Sequence, residues 1–492
     1  MNKTPATAAF RLRDGIIASK AGAIRAVVIV LLVLIVIGAV GFYALKSYLL
    51  ATTPIDYADI TEQWKYGSIG SDVEGLPFKI WRVLPDVFGD KLPGKGYESI
   101  GLIFESGRET PIGVSMRNGA IPLVGLNCAV CHTGTVRESS DKAPLVLPAM
   151  PSHQLNLGEY FNFLFACAGD PRFTSDNLLA AMEKKEKLSV LEKFVYPNVV
   201  KQMKEGVLKR SKALEYLKSR PPMGPGRVDT FNPYKVLFFG KDMTGDQSIG
   251  TVDFPAVWDQ ETKKALFMHW DGNNNSIDER NISASLGAGA SPKTVDFERL
   301  NRIKEWLLAL PSPKYPFQVD PVKVASGKAL YAKNCASCHQ PGSSLFGQVT
   351  PVAELGTDPH RVDAFTDEMV TNMNSLGTGY PWRFSHFRKT NGYVNRPLDG
   401  IWARAPYLHN GSVPTLQELL EPVENRRKEF YRGSDLYDQT RVGFASDVPE
   451  QGKRALFKYE TGQPGNANTG HLYGIQLSPE EKLAMVEYLK TL

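Results

Sequence analysis

Cys128-Ala-Val-Cys131-His132 and Cys335-Ala-Ser-Cys338-His339 decide the reading of this 492-residue chain. Both have the form C-x-x-C-H, the attachment sequence for c-type haem. Two thiols three positions apart lie on one helical turn and can add to the two vinyl groups of one porphyrin. The next residue then offers its imidazole to the iron as the proximal ligand. A thioredoxin-type C-x-x-C needs a βαβ setting, which neither stretch has. Zinc does not require a His directly after the second Cys of both pairs. Four of the five cysteines are used in this way, and the fifth, Cys167 in Phe-Leu-Phe-Ala-Cys-Ala-Gly, reads as a buried apolar thiol. The expected cofactors are two covalently bound haem c groups, on Cys128, Cys131, Cys335 and Cys338, with His132 and His339 as iron ligands.

Working outward, the second motif is preceded by a helix-like run, Val324 to Asn334, and the chain closes on Ser478 to Leu489. Ser478 suits an N-cap, Pro479 the first helical position and Glu481 the third place of a capping box. Leu483, Val486 and Leu489 fall on one face. The first motif is followed much later by a similar closing helix, Val295 to Leu310, with Phe297, Leu300, Ile303, Leu307 and Leu310 at helical spacing. Pro311, Pro313 and Pro316 stop it and begin a stiff connection. The chain therefore divides into a tail 1–25, a span 26–45, a linker 46–60, a first haem module 61–311, a Pro-rich linker 312–321 and a second cytochrome c module 322–492. The first module carries a large insertion. Within it, Asp176 to Arg220 reads as one or two exposed helices. Gly 43 and Pro 33 together exceed the usual share, so the expected fold is mainly α and loop-rich.

From Ala26 to Leu45 no residue is charged. A helix of that length covers about 30 Å, the thickness of a bilayer core. The run is longer than the apolar region of a cleaved signal peptide, and no small-x-small site follows closely. Lys3, Arg11, Arg13, Lys20 and Arg25 precede it, which places the N-terminus in the cytoplasm. The expected location is the inner membrane, single-pass, with the ectodomain in the periplasm. Residues 1–50 hold the whole net charge of +5, leaving a neutral body. A nucleic-acid binder needs a basic surface, so that class is excluded.

Further stretches accompany the haem motifs. They are Tyr66-Gly67-Ser68-Ile69-Gly70, Gly125-Leu126-Asn127, Gly224-Pro225-Gly226-Arg227-Val228-Asp229 and His269-Trp270-Asp271-Gly272-Asn273-Asn274. Ala405-Pro406-Tyr407-Leu408-His409-Asn410-Gly411-Ser412-Val413-Pro414 and Gly470-His471-Leu472-Tyr473-Gly474 follow. Over roughly residues 60–492 the chain resembles the di-haem cytochrome c peroxidase superfamily, and within it the rubber-oxygenase-like branch. The resemblance implies a first haem with an open distal side, where dioxygen binds, and a second haem with two histidine ligands that relays electrons. It implies His132 and His339 as proximal ligands and His471 as the distal ligand of the second haem. The chain is shorter than the secreted rubber oxygenases and carries an anchor, which points to small or lipid-soluble substrates rather than a solid polymer.

The residues themselves leave alternatives. His471 lies in a Gly-flanked loop, where a chain can approach an iron closely. His409 is a second candidate ligand or a residue that organises its loop. Met150 and His153 follow the first motif and are candidates to cap the first iron. His269 and Trp270 read either as a buried polar cluster or as a haem-edge pair with Trp270 on the electron path. His360 and His386 have no assigned role, and no catalytic residue is named. Two functions compete. One is a haem oxidoreductase using O2 or peroxide at the first haem, with a periplasmic or membrane electron-transfer partner. The other is a pure electron-transfer cytochrome with both irons six-coordinate.

Overall fold

The structure is a computed structural model and describes residues 25–492 apart from positions 26, 42, 45, 50, 265 and 453. Nearly all of the expected tail 1–25 therefore lies outside the described residues. Two compact units emerge. One comprises residues up to Thr53 with Asn118–Pro122; the other comprises Pro54–Arg117 with Leu123–Leu492. In the first unit a helix over Val27–Leu49, of mean hydropathy 3.0, is long and apolar enough to cross a membrane. A helix packed on a protein hides one stripe. Between Val27 and Val40 this one leaves its Val, Leu and Ile side chains exposed all round.

The large unit is mixed helix and sheet, which corrects the expectation of a mainly α fold. Its strands are two to six residues long, and most form two-stranded antiparallel ladders such as Thr133–Val136 with Leu145–Pro148 and Arg227–Asp229 with Thr251–Asp253. Strands this short contain too few residues for period-2 alternation to stand out in a sequence. Their number is the physical reason that the expectation failed.

The helices follow their caps. Asp320 accepts from Val322 N and Lys323 N, and the helix Pro321–Asn334 starts there. Ser478 and Glu481 form the capping box of Pro479–Leu489. These two helices cross closely. At Gly327 a Cβ would sit 2.0 Å from Ala484 O, so only glycine permits the approach. Tyr331 and Tyr488 rings meet at 5.2 Å beside the crossing. The buried face of the last helix is Met485, Val486 and Leu489, whereas Leu483 is exposed. The helix Phe297–Ala309, capped by Asp296, packs on Ile60–Tyr66, with Trp306 and Trp64 rings 5.4 Å apart. Leu300, Ile303 and Leu307 are buried there, while Phe297 at the first turn is exposed.

The Pro-rich segment between these helices is extended and packed. Trp402 Nε1 donates to Pro313 O at 2.8 Å, and the Tyr315 ring meets Trp402 edge-on at 5.5 Å. One hydrophobic core, including Trp64, Trp258, Trp402, Phe365 and Met485, runs through both haem-motif regions. Asp176–Arg220 forms the helices Ser175–Lys185 and Val190–Ala213, the second opened by a Ser189–Glu192 capping box. Cys167 is fully buried.

Candidate haem sites

The first C-x-x-C-H is a single helical turn, Cys128–Cys131. Asn127 builds it: its Oδ1 accepts from Ala129 N at 2.9 Å, and its Nδ2 donates to Gly67 O at 3.0 Å. The turn is thereby fixed to the segment after the Ile60–Tyr66 helix. Trp64 Nε1 donates to Thr133 Oγ1 at 3.0 Å, just past the motif. His132 Nδ1 lies 2.9 Å from Pro255 O. A carbonyl only accepts, so Nδ1 carries the proton and the Nε2 lone pair is left for a metal. Burial lowers the His132 pKa to about 4, so the ring is neutral, and raises Cys128 and Cys131 to about 11 and about 12. None of the five cysteines is in a disulfide.

The second turn repeats the design. His339 Nδ1 donates to Arg396 O at 2.7 Å, again leaving Nε2 free. What differs is the far side. The His471 ring centre lies 6.3 Å from that of His339, with the planes at 45°. Two imidazoles bound to opposite faces of one metal, with bonds of about 2 Å and roughly 1.1 Å from nitrogen to ring centre, have centres a little over 6 Å apart. The pair therefore fits a bis-histidine haem iron. His471 takes φ +50° and sits between Gly470 at +74° and Gly474 at +82°. At Gly470 a Cβ would meet Leu355 O at 2.3 Å. Arg426 clamps the loop, donating to Asn468 O at 2.7 Å, Gly470 O at 2.8 Å and His471 O at 3.3 Å. His471 Nδ1 is buried without a partner. Burial first, and His339 second, lower the His471 pKa to about 3.

Trp270 stands between the segments that hold the two proximal histidines. Its Nε1 donates to Asp253 O at 2.8 Å, two residues before Pro255. The Arg396 guanidinium lies over its ring at 5.1 Å. His269, at φ +64°, has its ring 6.3 Å from Phe387. His409 stacks on Tyr393 at 3.9 Å. Tyr393 OH donates to Asp358 O at 2.7 Å, so His409 Nε2 donates to the phenol oxygen at 3.0 Å. His409 O accepts from Asp253 N at 2.9 Å, which ties this loop to the strand that Trp270 leans on.

His153 stacks flat on Phe444 at 3.6 Å, with both ring nitrogens buried and unpartnered, and lines a small crevice of about 10 Å³ with Arg432 and Ser434. Met150 is buried beside Gly134. His386 Nδ1 meets Glu279 at 2.6 Å and His360 Nδ1 meets Asp358 at 2.9 Å. Sequence reasoning gave no role to Asn127, Pro255, Arg280, Arg396 or Arg426. Asn127 had a local signal, an N-cap residue immediately before the motif. The other four act across long sequence separations and had none. Burial lowers the Arg280 and Arg396 guanidinium pKa values to about 10 and about 9.

Residues 392–432 match the family described as RoxA-like, cytochrome c-like, and residues 322–381 match cytochrome C oxidase, cbb3-type, subunit III. The first match holds Arg396 and His409, and the second holds the second haem motif. Two proteins of Sinorhizobium fredii (strain NBRC 101917 / NGR234) are similar. Uncharacterized protein y4iM is 34% identical over 250 residues, 44% of this chain and 56% of that protein. Uncharacterized protein y4iJ is 27% identical over 474 residues, 75% of this chain and 77% of that protein. The chain thus spans little more than half of the first of these relatives. Cytochrome c-like domains carry covalent haem c and transfer electrons, and in that sense the chain is a c-type cytochrome, similar over residues 392–432 to the RoxA-like kind.

Proposed function

We propose that this protein is a membrane-anchored di-haem cytochrome whose first haem, on Cys128, Cys131 and His132, acts on O2 or peroxide, and whose second, on Cys335, Cys338, His339 and His471, relays electrons. One observation carries the reading. The His339 ring has His471 opposite it, whereas the His132 ring has Phe254 as its ring neighbour at 6.4 Å. Among the described residues no second imidazole faces His132 as His471 faces His339. An iron with a free sixth position binds and activates small oxidants.

The chain's own residues have plain tasks in this scheme. Pro255 O and Arg396 O orient the two proximal imidazoles and raise their basicity. Arg426 holds the His471 loop in place. Trp270, between the two proximal segments, provides the route for an electron. The modules run over 61–311 and 322–492. The Val27–Leu49 helix serves as an uncleaved anchor, with the N-terminus in the cytoplasm and the haem-bearing part in the periplasm. That setting favours small or lipid-soluble substrates and a periplasmic or membrane redox partner.

The test is electron spin resonance of the oxidised protein together with carbon monoxide binding to the reduced protein. A high-spin ferric signal beside a low-spin one, and one carbon monoxide per chain, support the reading. Two low-spin signals with no carbon monoxide bound replace it by the pure electron-transfer cytochrome.

A further inference from the structure

Guanidinium groups inside this protein are generally matched by acceptors. Arg361 meets Asp271 at 3.0 Å, and Arg432 meets Asp253. Arg426 is ringed by main-chain carbonyls. Asp399 is shared by Lys263 and Arg404, each at 2.8 Å. Arg396 breaks the pattern. Its guanidinium makes no hydrogen bond or ion pair among the described residues, and its Nη1 is buried without a partner. One face rests on Trp270. The carboxylate whose field reaches it is Asp399, already engaged by two cations. Arg280 is the second case. Its hydrogen bond goes to the neutral Asn281 Oδ1 at 2.9 Å, and no carboxylate pairs with it among the described residues. Arg280 also acts on Arg396 as a like charge. Two half-buried cations within each other's field, with no anion paired to either among the described residues, are unfavourable.

Their position names the missing anion. Arg280 acts electrostatically on Cys128 and His132 of the first turn. The Arg396 main chain holds His339 of the second. Both cations therefore stand beside the haem-attachment turns, where the acids to be expected are the porphyrin's own propionates. A guanidinium fork matches a carboxylate in two parallel hydrogen bonds. We propose that Arg280 and Arg396 form the receptor for haem propionate, with Arg396 clamping a carboxylate of the haem bonded at Cys335 and Cys338 and Arg280 supplying the second charge. This rests on the two-haem reading above. A cation held against the haem edge stabilises the ferrous state, which carries one positive charge fewer. The receptor would thus set the second haem's potential while leaving its axial ligands untouched.

The experiment uses the full-length, haem-loaded protein and the variants Arg396→Gln, Arg396→Lys and Arg280→Gln. Pyridine haemochrome counts the haems, electron spin resonance reads the ligands, and a spectroelectrochemical titration reads the potentials. Two haems per chain and an unchanged low-spin signal are expected in all. In Arg396→Gln the ferrous-to-ferric ratio of the second haem at fixed poise should fall about tenfold, which is about 59 mV for one electron. Arg396→Lys should restore part of this, and Arg280→Gln should give a smaller fall. Full haem content with unchanged potentials in both Gln variants overturns the proposal. Fewer than two haems in the unaltered protein overturns instead the two-haem reading beneath it. Should Arg396→Gln fail to accumulate, the unaltered protein answers. With ¹⁵N-labelled arginine, its redox-induced infrared difference spectrum must contain isotope-sensitive guanidinium bands, and their absence overturns the proposal.

Discussion

The two C-x-x-C-H turns begin alike and end differently. Each proximal histidine gives its Nδ1 proton to a main-chain carbonyl, Pro255 O at 2.9 Å or Arg396 O at 2.7 Å. Each is thereby presented as a neutral ligand. Around the second turn the chain then adds a loop strained at His471 and clamped by Arg426, which brings a second imidazole within coordinating range. Around the first it adds Phe254, which cannot ligate. The difference lies in what the chain spends beyond the motif. A positive φ at a residue with a side chain is costly and persists only where surrounding contacts impose it. Positive φ at a non-glycine residue also occurs beside the first turn, at Ala149, but there it brings no imidazole opposite His132, and that contrast argues that the two turns have different work.

The largest expected effect breaks the comparison at its root. Replacing Cys335 and Cys338 by Ser removes both thioether positions of the second turn, and pyridine haemochrome should fall from two haems per chain to one. Next comes His471→Ala, which should convert the low-spin ferric signal of the second haem to high spin and raise carbon monoxide binding from one to two per chain. If the low-spin signal survives, the ligand is not His471. A smaller change sharpens the link between the sites. Trp270→Phe keeps an aromatic ring but loses the hydrogen bond to Asp253 O. Flash-initiated electron transfer between the haems should slow roughly tenfold, equivalent to about 1.4 kcal/mol of barrier, with both spin states unchanged.

Much of this was legible in the sequence wherever the determining residues are neighbours. The helix expected at 478–489 is present as Pro479–Leu489, because its capping box and N1 proline are all within four residues. The helix expected at 295–310 is present as Phe297–Ala309, because Asp296 caps it and Leu300, Ile303 and Leu307 recur at helical spacing. The strands of two to six residues were not legible, since their pairing is decided by partners elsewhere in the chain. The candidate sites divide along the same line. Each haem turn is a run of five residues, but the carbonyls that orient its histidine lie 123 and 57 positions away. No local pattern marks Pro255 or Arg396 for that task. His471 was conspicuous because two glycines flank its loop and because the stretch Gly470 to Gly474 belongs to those that carry the family resemblance. The unpaired state of Arg396 is invisible until the pairing of every neighbouring carboxylate is known.

His153 supplies the smallest effect and tests whether the region after the first motif is structural. Its ring is buried against Phe444, and both nitrogens lack partners. Desolvation holds its pKa well below the ordinary 6.5, although Asp435 pulls the other way. The unfolded chain therefore takes up a proton at pH values where the native protein does not. Where the unfolded state binds more protons, stability rises with pH. The native protein thus has the full benefit above pH 6.5 and loses it progressively as the pH falls below, by at most about 1.4 kcal/mol per pH unit for this one group. His153→Phe keeps a ring to stack on Phe444 and removes the titration. Thermal unfolding of the two proteins between pH 7.5 and pH 5 should therefore diverge, with the variant's Tm falling less. The first haem's carbon monoxide binding should be the same in both. A variant that keeps the full acid sensitivity would show that other buried imidazoles carry it. One that gains or loses carbon monoxide binding would place His153 on the first iron and erase the asymmetry between the two haems.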